Sequence, residues 1–216
     1  MKHHFDTKQR HDASEIEIRT ALVRHLAKET RPKNCILAAE AVYGFENRRA
    51  DFLKLDNYSH AFEIKSDYDN TSRLRGQLAE YSKTFDFVTV VTTSSHLAAV
   101  REIAPRKVGL IVFDRQSLTP VRKPQINKQL SKSHLAAGIT KLRLLSVLPR
   151  NFRKLSVAEA RAEAVKKLTV KELRELFLAE LVNRFSKSSA IFFTETDTQI
   201  ETEDLALLRR SSRLFI

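Results

Sequence analysis

Two short β-type segments joined by a five-residue polar link leave this chain few options. Arg49-Ala50-Asp51-Phe52-Leu53-Lys54-Leu55 is followed by Asp56-Asn57-Tyr58-Ser59-His60 and then by Ala61-Phe62-Glu63-Ile64-Lys65-Ser66-Asp67. Side chains on a strand alternate faces. Glu63 and Lys65 therefore share one face, while Phe62 and Ile64 point the other way into a core. If the two strands pair as a hairpin, Asp51 comes to lie beside Glu63. Two carboxylates and an amine on one sheet face suit a hard divalent cation and a water that it activates. The triplet also has an ordinary explanation, with Glu63 and Lys65 on a solvated strand face and Asp51 at the end of a turn.

The remaining elements follow from periodicity and punctuation. Met1 to Asp12 reads as a loose arm. Ser14-x-x-Glu17 has the form of a capping box. Ile18, Ala21, Leu22, His25 and Leu26 recur at helical spacing, which predicts a helix of about 14 residues closed by Pro32. Cys35 to Val42 is apolar and predicts a first strand ending near Glu40, and Tyr43-Gly44 turns the chain into the Asp51 strand. Thr71 or Ser72 opens a helix with Leu74, Leu78 and Tyr81 along one stripe. Phe85 to Thr92 is a β-branched strand buried on both sides. A short helix from Ser95 to Ile103 precedes a last strand, Val108 to Phe113. This order predicts an α/β/α sandwich with a mixed sheet, hairpin neighbours first and crossovers later.

Charge divides the chain. Residues 1–114 carry 18 Lys and Arg against 16 Asp and Glu, whereas 115–216 carry 20 against 10. Between Arg115 and Lys154 there are ten basic residues and no acidic one. The break places a functional boundary at 114/115, with a basic, mainly helical region beyond it. Residues 116–128, with Pro120 and Pro124, read as an extended connector. Helices are expected over 129–148, 156–168, 169–185 and 203–210, and the only strand-like stretch is Ala190 to Phe193. A net charge of +12 favours a polyanionic partner, nucleic acid ahead of a membrane surface. The lone Cys35 excludes an internal disulfide and a cysteine-built zinc site. No apolar run approaches the ~18–20 residues of a membrane span, and a cytoplasmic protein is expected. With four glycines and no Gly-rich loop, a nucleotide-binding fold is not indicated.

Further candidates surround the triplet. Asp51, Glu63 and the Ile64 carbonyl are the metal ligands read from the hairpin, and Lys65 the residue that positions water. Gln77 and Tyr81, one helical turn apart, share a face and line the same groove, unless Tyr81 is core filler and Gln77 exposed. Glu17 or Glu40 is a candidate third carboxylate, Glu17 slightly ahead although it is also the acid of the capping box. Arg48, Arg49, Arg73 and Arg75 are placed to hold phosphates, or to pair with Asp67, Asp69 or Glu46. Arg122, Lys123 and Lys128 represent the basic tail, where phosphate contacts would make affinity fall with salt.

Together Arg49-Ala50-Asp51-Phe52, Glu63-Ile64-Lys65 and Gln77-x-x-x-Tyr81 resemble the PD-(D/E)XK nuclease superfamily, in its RecB-like branch. The string Glu63-Ile64-Lys65-Ser66-Asp67, with Asp69, Arg73-Leu74, Tyr81-Ser82, Phe85-Asp86 and His96, resembles more narrowly the bacterial sce (seven-seven-two-six) family. The likeness covers roughly residues 15–113. It implies a restriction-endonuclease-like core, Mg2+ or Mn2+, and cleavage of nucleic acid, DNA before RNA. It also implies catalytic roles for Asp51, Glu63, Lys65, Gln77 and Tyr81, and a metal-binding role for Glu17. Ala50 stands where many members have proline. A non-cleaving nucleic-acid-binding protein of the same fold is the alternative, and a homodimer or protein partner could dock on the C-terminal helices.

Overall fold

The computed structural model describes residues 13–30, 35–45, 48–196 and 199–209. The arm over Met1–Asp12, Pro32 and Glu46 lie outside them. The order is α1 (Glu15–Thr30), β1 (Ile36–Tyr43), β2 (Arg48–Leu55), β3 (Ser59–Lys65), α2 (Leu74–Thr84), β4 (Phe87–Thr93), α3 (Leu97–Ile103), β5 (Gly109–Phe113) and β6 (Leu118–Arg122). Then come α4 (Lys132–Ala137), α5 (Lys141–Val147), a 3-10 turn (Arg150–Phe152), α6 (Val157–Lys167), α7 (Val170–Glu195) and α8 (Leu205–Leu208).

One six-stranded sheet organises the chain in the order β1-β2-β3-β4-β5-β6. The first two neighbour pairs are antiparallel, β3-β4 and β4-β5 are parallel, and β5-β6 is antiparallel. Hairpins explain the antiparallel pairs, and the crossover helices α2 and α3 explain the parallel ones. Gly44 makes the β1-β2 turn at φ 63°, a left-handed conformation that glycine adopts without a Cβ clash.

Helices cover both faces. Leu74, Leu78 and Tyr81 of α2 and Val100 of α3 share one apolar core with Ala61, Val90 and Leu110 of the sheet. Ile18, Leu22 and Leu26 of α1 pack with Phe52, Phe62 and Ile64 on the opposite face. Phe62 and Ile64 thus take the core side that their alternation predicts. The helix α7 wraps the β1 edge. Its Leu173, Phe177, Leu181 and Phe185 join the α2 side, and its Phe192 joins the α1 side. Along that edge the Leu37 N–H donates to Ser189 Oγ at 3.0 Å, and Arg184 donates to the Val42 carbonyl at 2.7 Å. Side chains of a helix so satisfy backbone groups that an uncovered edge strand would leave open.

Three expectations need correction. Leu118 to Arg122, read as connector, forms β6; Pro120 is tolerated because this is an edge strand. The 129–148 helix is broken into α4 and α5 at Gly138, where a Cβ would overlap the Phe177 ring. Ala190 to Phe193 is helical, since α7 runs ten residues further than its N-terminal stripe indicated. The charge break at 114/115, read as a boundary in function, leaves the packing continuous. β6 extends the same sheet, and Leu135, Leu144, Ala160 and Phe177 share a core with Tyr43, Leu53 and Phe85. Arg174 of α7 also grips buried Asp86 through two bonds of 2.5 and 3.1 Å.

Candidate functional site

Both ladders around β2, one strand in from the β1 edge, are interrupted at the same level. The β1-β2 pairing runs from Ile36 opposite Leu55 to Ala39 opposite Phe52 and resumes at Ala41 opposite Ala50. Glu40 and Asp51 face each other in the gap, and Glu40 takes a left-handed φ of 50°. Ala38 and Ala41, three residues apart, lie on the same face, as do Ala50 and Leu53, so alternation slips by one in both strands. On the other side, β2-β3 pairing ends at Phe52 opposite Phe62, one step short of Asp51 and Glu63. The Asp51 carboxylate fills the break by accepting the Ile64 N–H at 2.8 Å. Ile64, paired in parallel with Val91 on β4, thus gives its N–H to the β2 side chain.

Glu63 and Lys65 are not on a solvated face. They are 1% and 7% exposed, and Lys65 Nζ lies 2.8 Å from Glu63 Oε1. That contact is an ion pair by distance but is too poorly aimed to be a hydrogen bond, so Oε1 lacks a directed donor. The other oxygen, Oε2, accepts from the Tyr81 hydroxyl at 2.7 Å. Tyr81 therefore fills core and orients the acid at once. Gln77, one turn earlier on α2, is half-buried with its Oε1 unpartnered. Thr92, register neighbour of Lys65 on β4, has a buried hydroxyl that is also unpartnered. Neither Thr92 nor the break in the ladders announces itself in the sequence.

Burial, and then the neighbouring Glu63 charge, push Asp51 up to about 7, only partly offset by the Ile64 N–H. Burial and the Glu63 and Asp51 charges push the Tyr81 hydroxyl well above its ordinary value, so it remains a donor.

The third carboxylate departs from expectation. Glu17 accepts from the Ser14 backbone at 2.7 Å and from the Ser14 hydroxyl at 2.6 Å, completing the cap of α1. It lines a cavity of about 430 Å³ with Arg24, Phe113 and Arg115, away from the acidic pair. Glu15, two residues earlier, is the α1 acid whose charge bears on Asp51, and it is bound by Arg19. Glu40 is enclosed by arginines, with Arg19 at 2.8 Å, Arg209 at 3.0 Å and Arg49 at 3.4 Å. Among the described residues no three His, Cys, Asp or Glu side chains converge around a metal-sized space.

Arg73 and Arg75 are exposed at the start of α2, nine to eleven residues after Ile64 in the chain, and Arg49 is exposed beside Glu40. The basic-tail residues lie elsewhere. Arg122 gives its guanidinium to the Val108 and Ala104 carbonyls at 2.7 and 3.3 Å on the far edge of the sheet. Lys123 and Lys128 are exposed on the segment leading to Asn127, whose side chain donates to the Phe85 carbonyl below β4. They do not line the Asp51–Glu63 site.

Fold and site together define a mixed α/β protein with a half-buried Asp51, a buried Glu63 and a buried lysine beside a break in its sheet. The profile of the family described as bacteriophage P4 protein cII matches residues 8–209, and the chain belongs to that family. Protein cII of Enterobacteria phage P4 is 26% identical over 208 residues, which cover 92% of this chain and 79% of that protein. A solved structure of a protein of unknown function from Silicibacter pomeroyi aligns with 68% of this chain and 90% of its own, at 21% identity and a TM-score of 0.40. No helix among the described residues is long and apolar enough to cross a membrane.

Proposed function

We propose that this chain is a metal-dependent nuclease with a restriction-endonuclease-like core, hydrolysing phosphodiester bonds in nucleic acid, with DNA the first substrate to test. The observation that carries the proposal is the juxtaposition of half-buried Asp51 with buried Glu63 and Lys65 where the sheet parts. Buried acids of like charge need a compensating cation. Asp51 is pushed up to about 7 and Glu63 Oε1 lacks a directed donor, so the donor set fits a hard divalent ion. Asp51, Glu63 and the Ile64 carbonyl would hold Mg2+ or Mn2+.

When bound, such an ion supplies Lewis-acid chemistry that offsets charge on the phosphate and favours attack by water. Tyr81 fixes Glu63 through Oε2 and leaves Oε1 toward Lys65. The Ile64 N–H fixes Asp51. Lys65, held by the Glu63 ion pair, positions the attacking water. A preorganised arrangement of this kind needs little reorganisation as the reaction proceeds.

Incubation with single-stranded, duplex and branched DNA, in Mg2+ or Mn2+ and in chelator, tests the proposal. Cleavage should require metal and be lost in Lys65→Ala, while binding survives. Cutting in chelator, or full activity in Lys65→Ala, would remove this mechanism. The second reading is a non-cleaving nucleic-acid-binding protein. It is favoured by one observation, that Glu40, the third acid at the gap, is already held by three arginines, and it is what binding without cleavage in every metal would support.

A further inference from the structure

Three arginines far apart in sequence meet on one strained residue beside the acidic pair. Arg19 comes from α1, Arg49 from β2 and Arg209 from the end of α8, and each pairs with Glu40. Glu40 faces Asp51 across the interrupted β1-β2 ladder and holds a φ of 50°, which a side chain with a Cβ rarely adopts. Arg19 is 4% exposed, and its Nε is buried without a partner. A buried guanidinium with an idle donor is under-coordinated. Arg49 and Arg209 have side chains 62% and 45% exposed, so the cluster opens to solvent on one side. Three guanidiniums facing Glu40 and Glu15 leave the group one positive charge in excess.

We infer that this cluster is a phosphate subsite for the substrate strand next to the scissile bond, with Glu40 as its internal occupant in the free protein. The inference rests on the nuclease proposal for the identity of the strand, but not for the existence of the anion site. Guanidinium forks match the oxygens of a phosphate as they match a carboxylate. An incoming phosphate can therefore take over Arg49 and Arg209 as Glu40 turns aside, and the strained backbone at Glu40 lowers the cost of that exchange. Two sources share this chemistry, an internal phosphodiester and a terminal 5′-phosphate. The short helix α8 acquires a purpose, since Leu205 and Leu208 anchor it so that Arg209 reaches a site formed by the first 65 residues.

The test measures equilibrium binding of fluorescent oligo(dT), with 5′-phosphate or 5′-hydroxyl ends, in chelator across a salt series. Arg49→Gln and Arg209→Gln should each weaken binding about fivefold to tenfold and lower the salt slope by about one. Glu40→Gln should strengthen binding about threefold or more. Loss confined to the 5′-phosphorylated oligonucleotide assigns a terminal phosphate, and equal loss on both assigns an internal one. Unfolding midpoints of the same variants guard against a merely structural role. Wild-type affinity and salt slope in both arginine variants, or weaker binding by Glu40→Gln, overturns the subsite. Because no metal is present, these outcomes are independent of cleavage. Altered binding together with no metal-dependent cutting keeps the anion site and removes the nuclease.

Discussion

Replacing Asp51 with Asn should make the metal-free protein more stable at pH 8 and remove the fall in stability that Asp51 contributes between pH 4 and pH 7, an effect opposed in the same window by His60, which burial holds down at about 3. Asp51 is held at about 7, against an ordinary 3.8, because burial and then Glu63 disfavour its charged form. The folded protein therefore keeps a proton that the unfolded chain releases near pH 4. In that window Asp51 binds more protons in the native state, so its contribution to stability falls as pH rises and is lowest above the folded value. About three pH units at ~1.36 kcal/mol each give roughly 4 kcal/mol. That is a large share of the ~5–15 kcal/mol that holds a typical domain folded. Asn has nearly the same volume and keeps an oxygen for the Ile64 N–H, which Asp51 now binds at 2.8 Å, so the substitution isolates the charge. Urea unfolding at half-unit pH steps, in chelator, reads the effect. Because Asp51 and Glu63 interact, the slope belongs to the pair, and one proton corresponds to ~1.36 kcal/mol per pH unit. Mg2+ or Mn2+ at pH 8 should then stabilise the wild type and leave Asp51→Asn almost unmoved. A variant less stable than wild type at pH 8, or one with the same pH slope, would falsify the buried-charge account of this site.

Three further perturbations address its surroundings. Tyr81→Phe removes the donor to Glu63 Oε2 and should lower stability by about 1.5–3 kcal/mol, as for a hydrogen bond to a charged group. A change under about 0.5 kcal/mol, the scatter of neutral substitutions, would reduce Tyr81 to a packing residue. Arg174→Ala removes the cation paired with the buried Asp86 carboxylate and leaves it only the Ser59 N–H and hydroxyl as donors, and should lower unfolding free energy by about 3 kcal/mol; a loss below about 1 kcal/mol, typical of an exposed pair, would mean that α7 is only loosely tied to the sheet. The paired change Lys123→Gln with Lys128→Gln should reduce the salt slope of nucleic-acid binding by up to about two. Arg122→Gln should change it little, because that guanidinium is given to the Val108 and Ala104 carbonyls.

The elements that sequence predicts well here are those whose pattern is local. α6 and α7 begin where Ser156-x-x-Glu159 and Thr169-x-x-Glu172 mark them, and both capping boxes form. The Asp51–Glu63 juxtaposition was legible because a short hairpin fixes register and register fixes neighbours. What the sequence hid depends on contacts between distant segments. β6 has too few alternating residues to declare itself, and pairing with β5 supplies the rest. Ala190 to Phe193 reads as a strand because four apolar residues run together near the end of α7, where the helix passes from one face of the sheet to the other. Glu17 ranks slightly ahead of Glu40 in the sequence, yet the cap that counts against it is what removes it from the site. Arg209 could not be linked to Glu40 from spacing, since α8 brings it back across most of the chain.

The broken ladders and the buried charges explain each other. An unbroken β2-β3 pair would give the Ile64 N–H a backbone carbonyl; here the Asp51 carboxylate takes that place. An ionised acid between strands is expensive unless donors or cations surround it. Among the described residues the donors are one backbone N–H for Asp51 and, for Glu63, one phenol and one ammonium. That is fewer than two ionised carboxylates can use. Glu40, a third acid on the same gap, has by contrast its own three arginines and is held low by Arg19, Arg209 and Arg49 against the opposing effect of burial. If the gap served stability alone, Asp51 would have been compensated as Glu40 is. The imbalance between neighbouring acids, one over-supplied and two under-supplied with positive charge, is a physical reason to look for a cation at Asp51 and Glu63 and an anion at the arginines.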